Sequence, residues 1–526
     1  MKYFLILIAL IVFNQPFIFA DELTAKGFVF EDLNGNGKKD SQEKGISDVS
    51  VSNGLIVVQT NADGYYEIPI KRGDIIFVIK PAEYSYPVNS LNFPQFHYIY
   101  KPDGSPDLKY PGTKPTGKLP KSINFPLSKI KYSDEFSIAV FSDPQLFNKK
   151  QSEYYSSDIV QDFVKSVFNC DFGVTLGDMV NDKLELLEYL NNETAKAGIP
   201  WFHVAGNHDL NFDVENPSNA TETFESIYGP ANYAFNHGKV HFIVLNDVIY
   251  PNNFTSHKYI GGLREEQLQF LINNLKFVPK DKLIVLMMHI PIYNESEWGE
   301  TFLQNSRNIL FNILSDYDFT LSLSGHTHTQ RHYFFTDKEG WLNSNHHHHY
   351  TVGTASGDWW SGSSNLKGTP ESIMRDGTPN GYNIIKFEGN KYFYEYKSAS
   401  YPNDYRIRIH APSKVKANIY NGGDIYVNFF QGCEKDTVEY QINNGEWINM
   451  RYSIEFDPYI CNIRSQWDSP QIPDGDRPSA PANSRHIWKA RLSTKLPVGV
   501  HAINVRVRDW LGRVYTQNRK FEVIEK

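Results

Sequence analysis

The chain has 526 residues, enough for about three domains at roughly 100 to 200 residues each, which excludes a single small module. With 40% apolar and 21% charged residues, and with 9 Trp, 32 Tyr and 35 Phe, it has ample material for packed cores, so wholesale disorder is excluded as well. A formal net charge of -8 gives no whole-molecule attraction for a polyanion, and nucleic acid is not expected as a stable partner.

Residues 1 to 20 place Lys2 before the apolar run Phe4 to Phe13 and end at Ala20, ahead of Asp21 and Glu22. This is the layout of a cleaved export signal, and the uninterrupted run is too short to span a bilayer comfortably. The expectation is an exported protein, periplasmic or secreted to the cell surface, with no transmembrane segment after signal cleavage. Three cysteines, Cys170, Cys433 and Cys461, allow at most one disulfide; Cys433 and Cys461 are the plausible pair, and whether they are bridged is not legible.

From residue 21 to 101, short apolar runs alternate with Asn, Asp and Gly clusters, which predicts an N-terminal β-sandwich. Within it Asp32, Asn34, Asn36, Lys38, Asp40 and Glu43 take positions 1, 3, 5, 7, 9 and 12 of a calcium loop, with Gly37 at the turn. No helical pattern flanks this loop. It resembles the calcium-bearing B-type repeats of bacterial surface proteins, and the resemblance implies one structural Ca that rigidifies the domain. Residues 102 to 130, with prolines at 102, 106, 111, 115, 120 and 126, read as a linker.

Residues 131 to 400 change grammar: apolar runs of strand length alternate with helical stretches, such as Leu268, Leu271, Ile272, Leu275 and Val278 ahead of Pro279. That alternation predicts an α/β layered domain. Five of its strands run into polar residues: Asp143 and Gln145; Asp178 and Asp182; Asn207, His208 and Asp209; His289; His326 and His328. A lone Asp after a strand is usually a helix cap, and a lone buried His a hydrogen-bonded core residue. Five such ends in one domain point instead to one site beyond the carboxyl ends of the strands. Buried carboxylates and imidazoles without a cation would be badly unsatisfied, and this donor mixture suits Mn, Fe, Zn or Co better than Ca.

The ordered set Asp143-Pro-Gln145, Gly177-Asp178 to Asp182, Gly206-Asn207-His208-Asp209, His289 and Gly325-His326-Thr-His328 resembles the calcineurin-like metallophosphoesterase family. The flanking regions are similar to the N- and C-terminal domains that accompany bacterial exported members. The resemblance implies a four-layer α/β/β/α sandwich between two all-β sandwich domains. It also implies two divalent ions (Mn, Fe, Zn or Mg) bridged by Asp178, one completed by Asp143, Gln145 and His328 and the other by Asn207, His289 and His326. A hydroxide bridging the ions would attack phosphorus in line while His208 protonates the leaving oxygen, with Asp209 or Asp182 orienting its ring. Gln145 departs from the family, where most members have His, and implies a more weakly held metal tilted from Zn towards Mn or Mg.

The tract His346 to His349 precedes a strand, and is expected to be polar filler with two residues inward and two outward, or a lip of the active-site cleft. Between Val352 and Tyr382 runs a long Gly-, Ser- and Pro-rich loop in which Trp359 and Trp360 could stack on substrate or pack against the next domain, and Arg375 could pair with a phosphate. Residues 401 to 526 read as a helix-free C-terminal β-sandwich. The favoured function is hydrolysis of phosphomonoesters on a small-molecule, glycan or lipid substrate. The alternatives are a phosphodiesterase acting on nucleotide or glycan and lipid diesters, and a catalytically weak surface binding protein. The oligomeric state is not legible.

Overall fold

The computed structural model describes residues 23–166, 168–251, 258–294 and 301–525, so the expected leader lies outside the described residues. The centre of the molecule is two sheets packed face to face. One has five strands in the order Trp201–Val204, Phe172–Leu176, Glu135–Phe141, Gly381–Glu388 and Lys391–Ser398, the first three parallel. The other has six, with Val240–Val244, Leu283–Met287, Thr320–Ser324 and His347–Thr351 parallel at its centre and antiparallel strands Tyr233–His237 and Arg331–Phe335 at its edges.

Strand alternation sorts the layers. Phe136, Ile138 and Val140 face the second sheet, whereas Ala139 and Phe141 face a helical layer that includes Tyr155, Ile159 and Phe163. Between the sheets the rings of Phe202 and Phe235 stack at 4.2 Å and Phe172 meets Phe242 edge-on at 5.4 Å. Helices Glu265–Leu275 and Gln304–Leu314 cover the outer face of the six-stranded sheet through Leu268, Leu271, Leu310 and Phe311. Ile272, counted with the apolar stripe, points outward at 39% exposure. These are the four layers α/β/β/α.

The N-terminal region forms two four-stranded sheets. Strand Phe125–Lys129 pairs in parallel with Leu23–Glu31, so the last part of the expected linker is a strand of this sandwich; Pro126 tolerates it because the sequence around it still alternates, with Phe125 and Leu127 buried. Residues 102 to 124 form neither strand nor helix but are strapped to the catalytic domain. Lys109 N–H donates to Asp213 at 2.6 Å, Thr223 donates its hydroxyl to the Tyr110 carbonyl at 3.1 Å, and neighbouring Lys101 forms a buried ion pair with Glu222 at 2.6 Å.

The C-terminal region is a sandwich of four and five strands around Ile425, Val427, Val438, Trp488, Ile503 and Val505. It does contain a helix, Pro458–Ser465, which Asp457 caps at the Tyr459 N–H with proline at the first turn. Cys433 and Cys461 are free thiols, so the plausible pair is not bridged; Cys433 is buried in a turn against Asp436 and Cys461 sits on that helix. Among the described residues no helix is long and apolar enough to cross a membrane.

Candidate metal centre

All five strand ends converge. The chain must turn sharply at each, and Asp143, Gln145, Asp178, His326 and His328 all have positive φ, between 44° and 73°. Non-glycine residues held there cost stability, and such strain concentrates at functional sites. Gly206 and Gly325 let the turns approach: a Cβ on Gly206 would collide with Asp178, and one on Gly325 with Ser142 and Asp143.

Two candidate ligand sets result. In the first, His289 Nε2 lies 3.0 Å from Asn207 Oδ1 and 3.1 Å from Asp178 Oδ2, and donor atoms of Asp178, His289 and His326 fall within 4.8 Å of one another. In the second, His328 Nε2 lies 2.8 Å from Gln145 Oε1 and 3.8 Å from Asp143 Oδ1. These sets pass a direct test of whether they fit cations. His289 Nδ1 donates to the Leu176 carbonyl at 2.8 Å and His328 Nδ1 donates to the Gly357 carbonyl, which leaves Nε2 of each ring facing oxygen lone pairs. Such a buried place requires positive charge, a proton or a cation, between ring nitrogen and oxygens. Buried Asn207 Nδ2 and His326 Nδ1 have no hydrogen-bond partner among the described residues.

The electrostatics agree. Burial opposes the charge on Asp178, but the imidazoles of His289 and His208 outweigh it and hold the carboxyl below its ordinary range. Burial likewise pulls His289 down, yet Asp178 outweighs it and the ring is pushed up to about 10. The cluster takes up a proton where a metal ion would satisfy it. Burial drives His326 down to about 3, which keeps its imidazole neutral and able to coordinate.

His208 sits at the rim. Its N–H donates to Asp178 Oδ1 at 2.8 Å and its ring Nδ1 pairs with Asp182 Oδ1 at 2.7 Å. Burial lowers its pKa, but Asp178 and Asp182 together carry it above the ordinary value. Of the two candidate orienting residues, only Asp182 touches the ring. Asp209 is fully buried and accepts from the backbone N–H groups of Gly206, Met179 and Val180, so it braces two ligand turns and is not part of the reacting surface.

Sequence reasoning missed Asp247, just beyond the strand Val240–Val244. Its carboxylate accepts from the backbone of His289 at 3.1 Å and of Ile290 at 3.0 Å, and burial pushes it up to about 7. The signal was present: a sixth strand running into a polar, metal-capable residue, beside five that already did.

The remaining candidates divide. Trp359 stacks on the candidate ligand His328 at 4.1 Å and, with Arg375, lines the cavity beside His326. Trp360 is buried, its indole donates to the Pro144 carbonyl at 2.8 Å, and it supports the Asp143 turn without reaching substrate space. In the tract, His346 is exposed while His347, His348 and His349 are all buried, because a central strand has no solvent face; neither polar filler nor a cleft lip describes them.

In the N-terminal loop, Asp32 accepts from Gly35 and Gly37 N–H, Asn34 from Asn36 N–H, Asn36 from Lys38 N–H, and Glu43 from Leu33 and Asp40 N–H. The amides of Asn34 and Asn36 donate to Asp40 and lower its pKa.

The calcineurin-like phosphoesterase family matches residues 136–330, its N-terminal domain matches 33–110 and its C-terminal domain matches 349–515. A comparison with curated proteins found no match. Among solved structures, a dimetal phosphatase from Danio rerio is 13% identical over 50% of this chain and 96% of its own, with a TM-score of 0.36. A purple acid phosphatase from yellow lupin (Lupinus luteus) seeds is 10% identical over 71% of this chain and 66% of its own, with a TM-score of 0.37. With its catalytic domain and both accessory domains matched in order, the chain belongs to the calcineurin-like phosphoesterases and is a metal-dependent phosphoric ester hydrolase with a dinuclear site for divalent cations.

Proposed function

We propose that the protein is an exported phosphomonoesterase in which His208 donates the proton to the leaving oxygen. The observation that carries this reading is the His208–Asp182 pair standing beside Asp178. Asp182 takes Nδ1, which leaves Nε2 for the substrate, and the two carboxylates raise its pKa, which favours the protonated ring a general acid needs. Divalent ions held by the two ligand sets would supply charge for the phosphoryl oxygens and an activated water. Asp178 positions His208 through its backbone, Asp247 fixes the backbone of His289, and Trp359 holds the ring plane of His328.

Gln145, an oxygen donor opposite His328, supports Mn or Mg over Zn at that position. Export is supported by residues 1 to 20, and a structural Ca by the spacing and convergence of Asp32, Asn34, Asn36, Asp40 and Glu43. The test of the reaction is turnover of p-nitrophenyl phosphate and bis-p-nitrophenyl phosphate by metal-replete protein. A faster diester than monoester rules out the monoesterase reading, and no turnover of either rules out the catalytic one.

A further inference from the structure

The ring of His328 is held by two residues of one loop: Gly357, whose carbonyl accepts from Nδ1, and Trp359, whose indole stacks on it at 4.1 Å. Asp358 stands between them. The stretch is strained, because Trp359 and the next residue, Trp360, both lie in the left-handed region, with φ of 52° and 58°. Such backbone persists only where its surroundings over-determine it. Within the catalytic domain Thr354 donates its hydroxyl to the Gly357 carbonyl at 2.9 Å, Ser356 N–H donates to the Asp143 carbonyl at 3.2 Å, and the Trp360 indole donates to the Pro144 carbonyl at 2.8 Å.

The remaining hold comes from the C-terminal sandwich. Residues 476–482 precede its strand Ser484–Arg491 and reach this loop, where Gly362 N–H donates to the Asp476 carbonyl at 2.8 Å. The Asp358 side chain is buried, and its Oδ2 accepts from the Ser361 hydroxyl at 2.9 Å and from Ser479 N–H at 2.6 Å. Donation to a carboxylate is roughly twice as strong as donation to a neutral acceptor. The sandwich is itself tied to the catalytic domain: His486 Nε2 pairs with Asp376 at 3.1 Å, Gln431 Oε1 accepts from Tyr396 N–H at 2.7 Å, and the Trp510 indole donates to the Tyr394 hydroxyl at 2.6 Å. Ser479 N–H is thus offered from a fixed place.

We propose that Asp358 is a positioning residue for the ion held at His328, through which the C-terminal sandwich sets how tightly that ion binds. The inference rests on the reading of His328 as a metal ligand. Asp358 is the peptide neighbour of both residues that hold the ring, so releasing its carboxylate frees the Gly357 carbonyl and the Trp359 indole together. Nε2 then loses its aim at Gln145 Oε1. His289 is held instead by the Leu176 carbonyl and Asp247, so the other ion is spared.

Calorimetric titration of the chelator-stripped full chain with Mn resolves the two ions, and His328→Ala identifies the one bound at His328. Asp358→Ala should weaken that ion by about tenfold or more, the usual loss when the support of a ligating imidazole is removed, and leave the other unchanged. Asp358→Asn, which keeps an oxygen to accept from Ser479, should bind as wild type. Ser479→Pro deletes the donating N–H from the sandwich side and should weaken the same ion, while the double variant Asp358→Ala/Ser479→Pro should be no worse than Asp358→Ala alone. Melting curves establish that each variant is folded; if Asp358→Ala is not, Ser479→Pro, in a stretch without strand or helix, decides. Wild-type affinity for both ions in folded Asp358→Ala or Ser479→Pro, equal weakening of both ions, or an Asp358→Asn as defective as Asp358→Ala overturns the positioning role. Retention of both ions by His328→Ala overturns instead the reading of His328 as a ligand.

Discussion

Two histidine clusters occupy the same six-stranded sheet, and they differ in what faces each ring. His289, His326 and His328 stand at carboxyl ends of strands or just beyond, where Nε2 of His289 and of His328 meets oxygens that cannot donate. His347, His348 and His349 lie within a strand and meet hydroxyl and imidazole groups. His347 is held by Thr320 and Ser322, His348 by Tyr392 and His332, and His349 by Ser322 and Ser324. Each of those partners can either donate or accept, so the second cluster is satisfied without a cation. A buried histidine is therefore a ligand by virtue of its surroundings and not its burial.

The strongest way to break the contrast is Asp178→Asn, which removes the carboxylate that the proposed centre shares between its two ions. Turnover should fall to background and bound metal should drop, measured by activity together with elemental analysis. His208→Ala should leave metal content near wild type and slow kcat by roughly 100-fold or more for poor leaving groups. The loss should be smaller for activated esters, whose leaving oxygen hardly needs a proton; equal losses across the series would remove His208 from the acid role.

On the other cluster, His348→Leu should leave metal binding unaltered while costing about 1–3 kcal/mol of stability, because Tyr392 and His332 lose a buried partner. Melting and metal titration on one preparation read both. The same cluster should set an acid limit. Burial pushes His347 down to about 3 and His348 and His349 well below the ordinary imidazole range. An unfolded histidine titrates near 6.5, so below about pH 6.5 the unfolded chain binds more protons and stability falls as pH falls towards the folded values. The slope should approach about 1.4 kcal/mol per pH unit for each such histidine, and the contribution should be complete above about pH 6.5. Denaturant titrations from pH 7 to 4.5 measure it, and His348→Leu should flatten the slope. The smallest effect is expected from Gln145→His, which should raise Zn affinity at the His328 position in a competition titration; unchanged or weaker binding would remove Gln145 from the ligand set.

Much of this contrast was legible in sequence, for a physical reason. Strand ends bearing Asp143, Asp178, Asn207, His289 and His326 leave a local trace, an apolar run that stops in polar residues, and the family motif ordered them. The tract at 346 to 349 was misjudged because polarity predicts exposure, whereas a strand with neighbours on both sides and layers on both faces has nowhere exposed to send a side chain. Asp209 and Asp182 could not be ranked, since the choice depends on which carboxylate bends back onto backbone N–H groups. The helix Pro458–Ser465 had its signal, Asp457 followed by a proline, but it is only 8 residues long and lies among strands. The hold of the C-terminal sandwich on Asp358 was beyond reach, because it depends on which backbone N–H of residues 476–482 comes to rest against that carboxylate.

Metal stoichiometry tests the central claim most directly. Protein stripped with a chelator and titrated calorimetrically with Mn should bind two ions per chain at the catalytic centre, with p-nitrophenyl phosphate turnover rising in step and both lost in Asp178→Asn. Turnover that survives stripping, or wild-type Mn binding retained by Asp178→Asn, would contradict a centre built around that shared carboxylate.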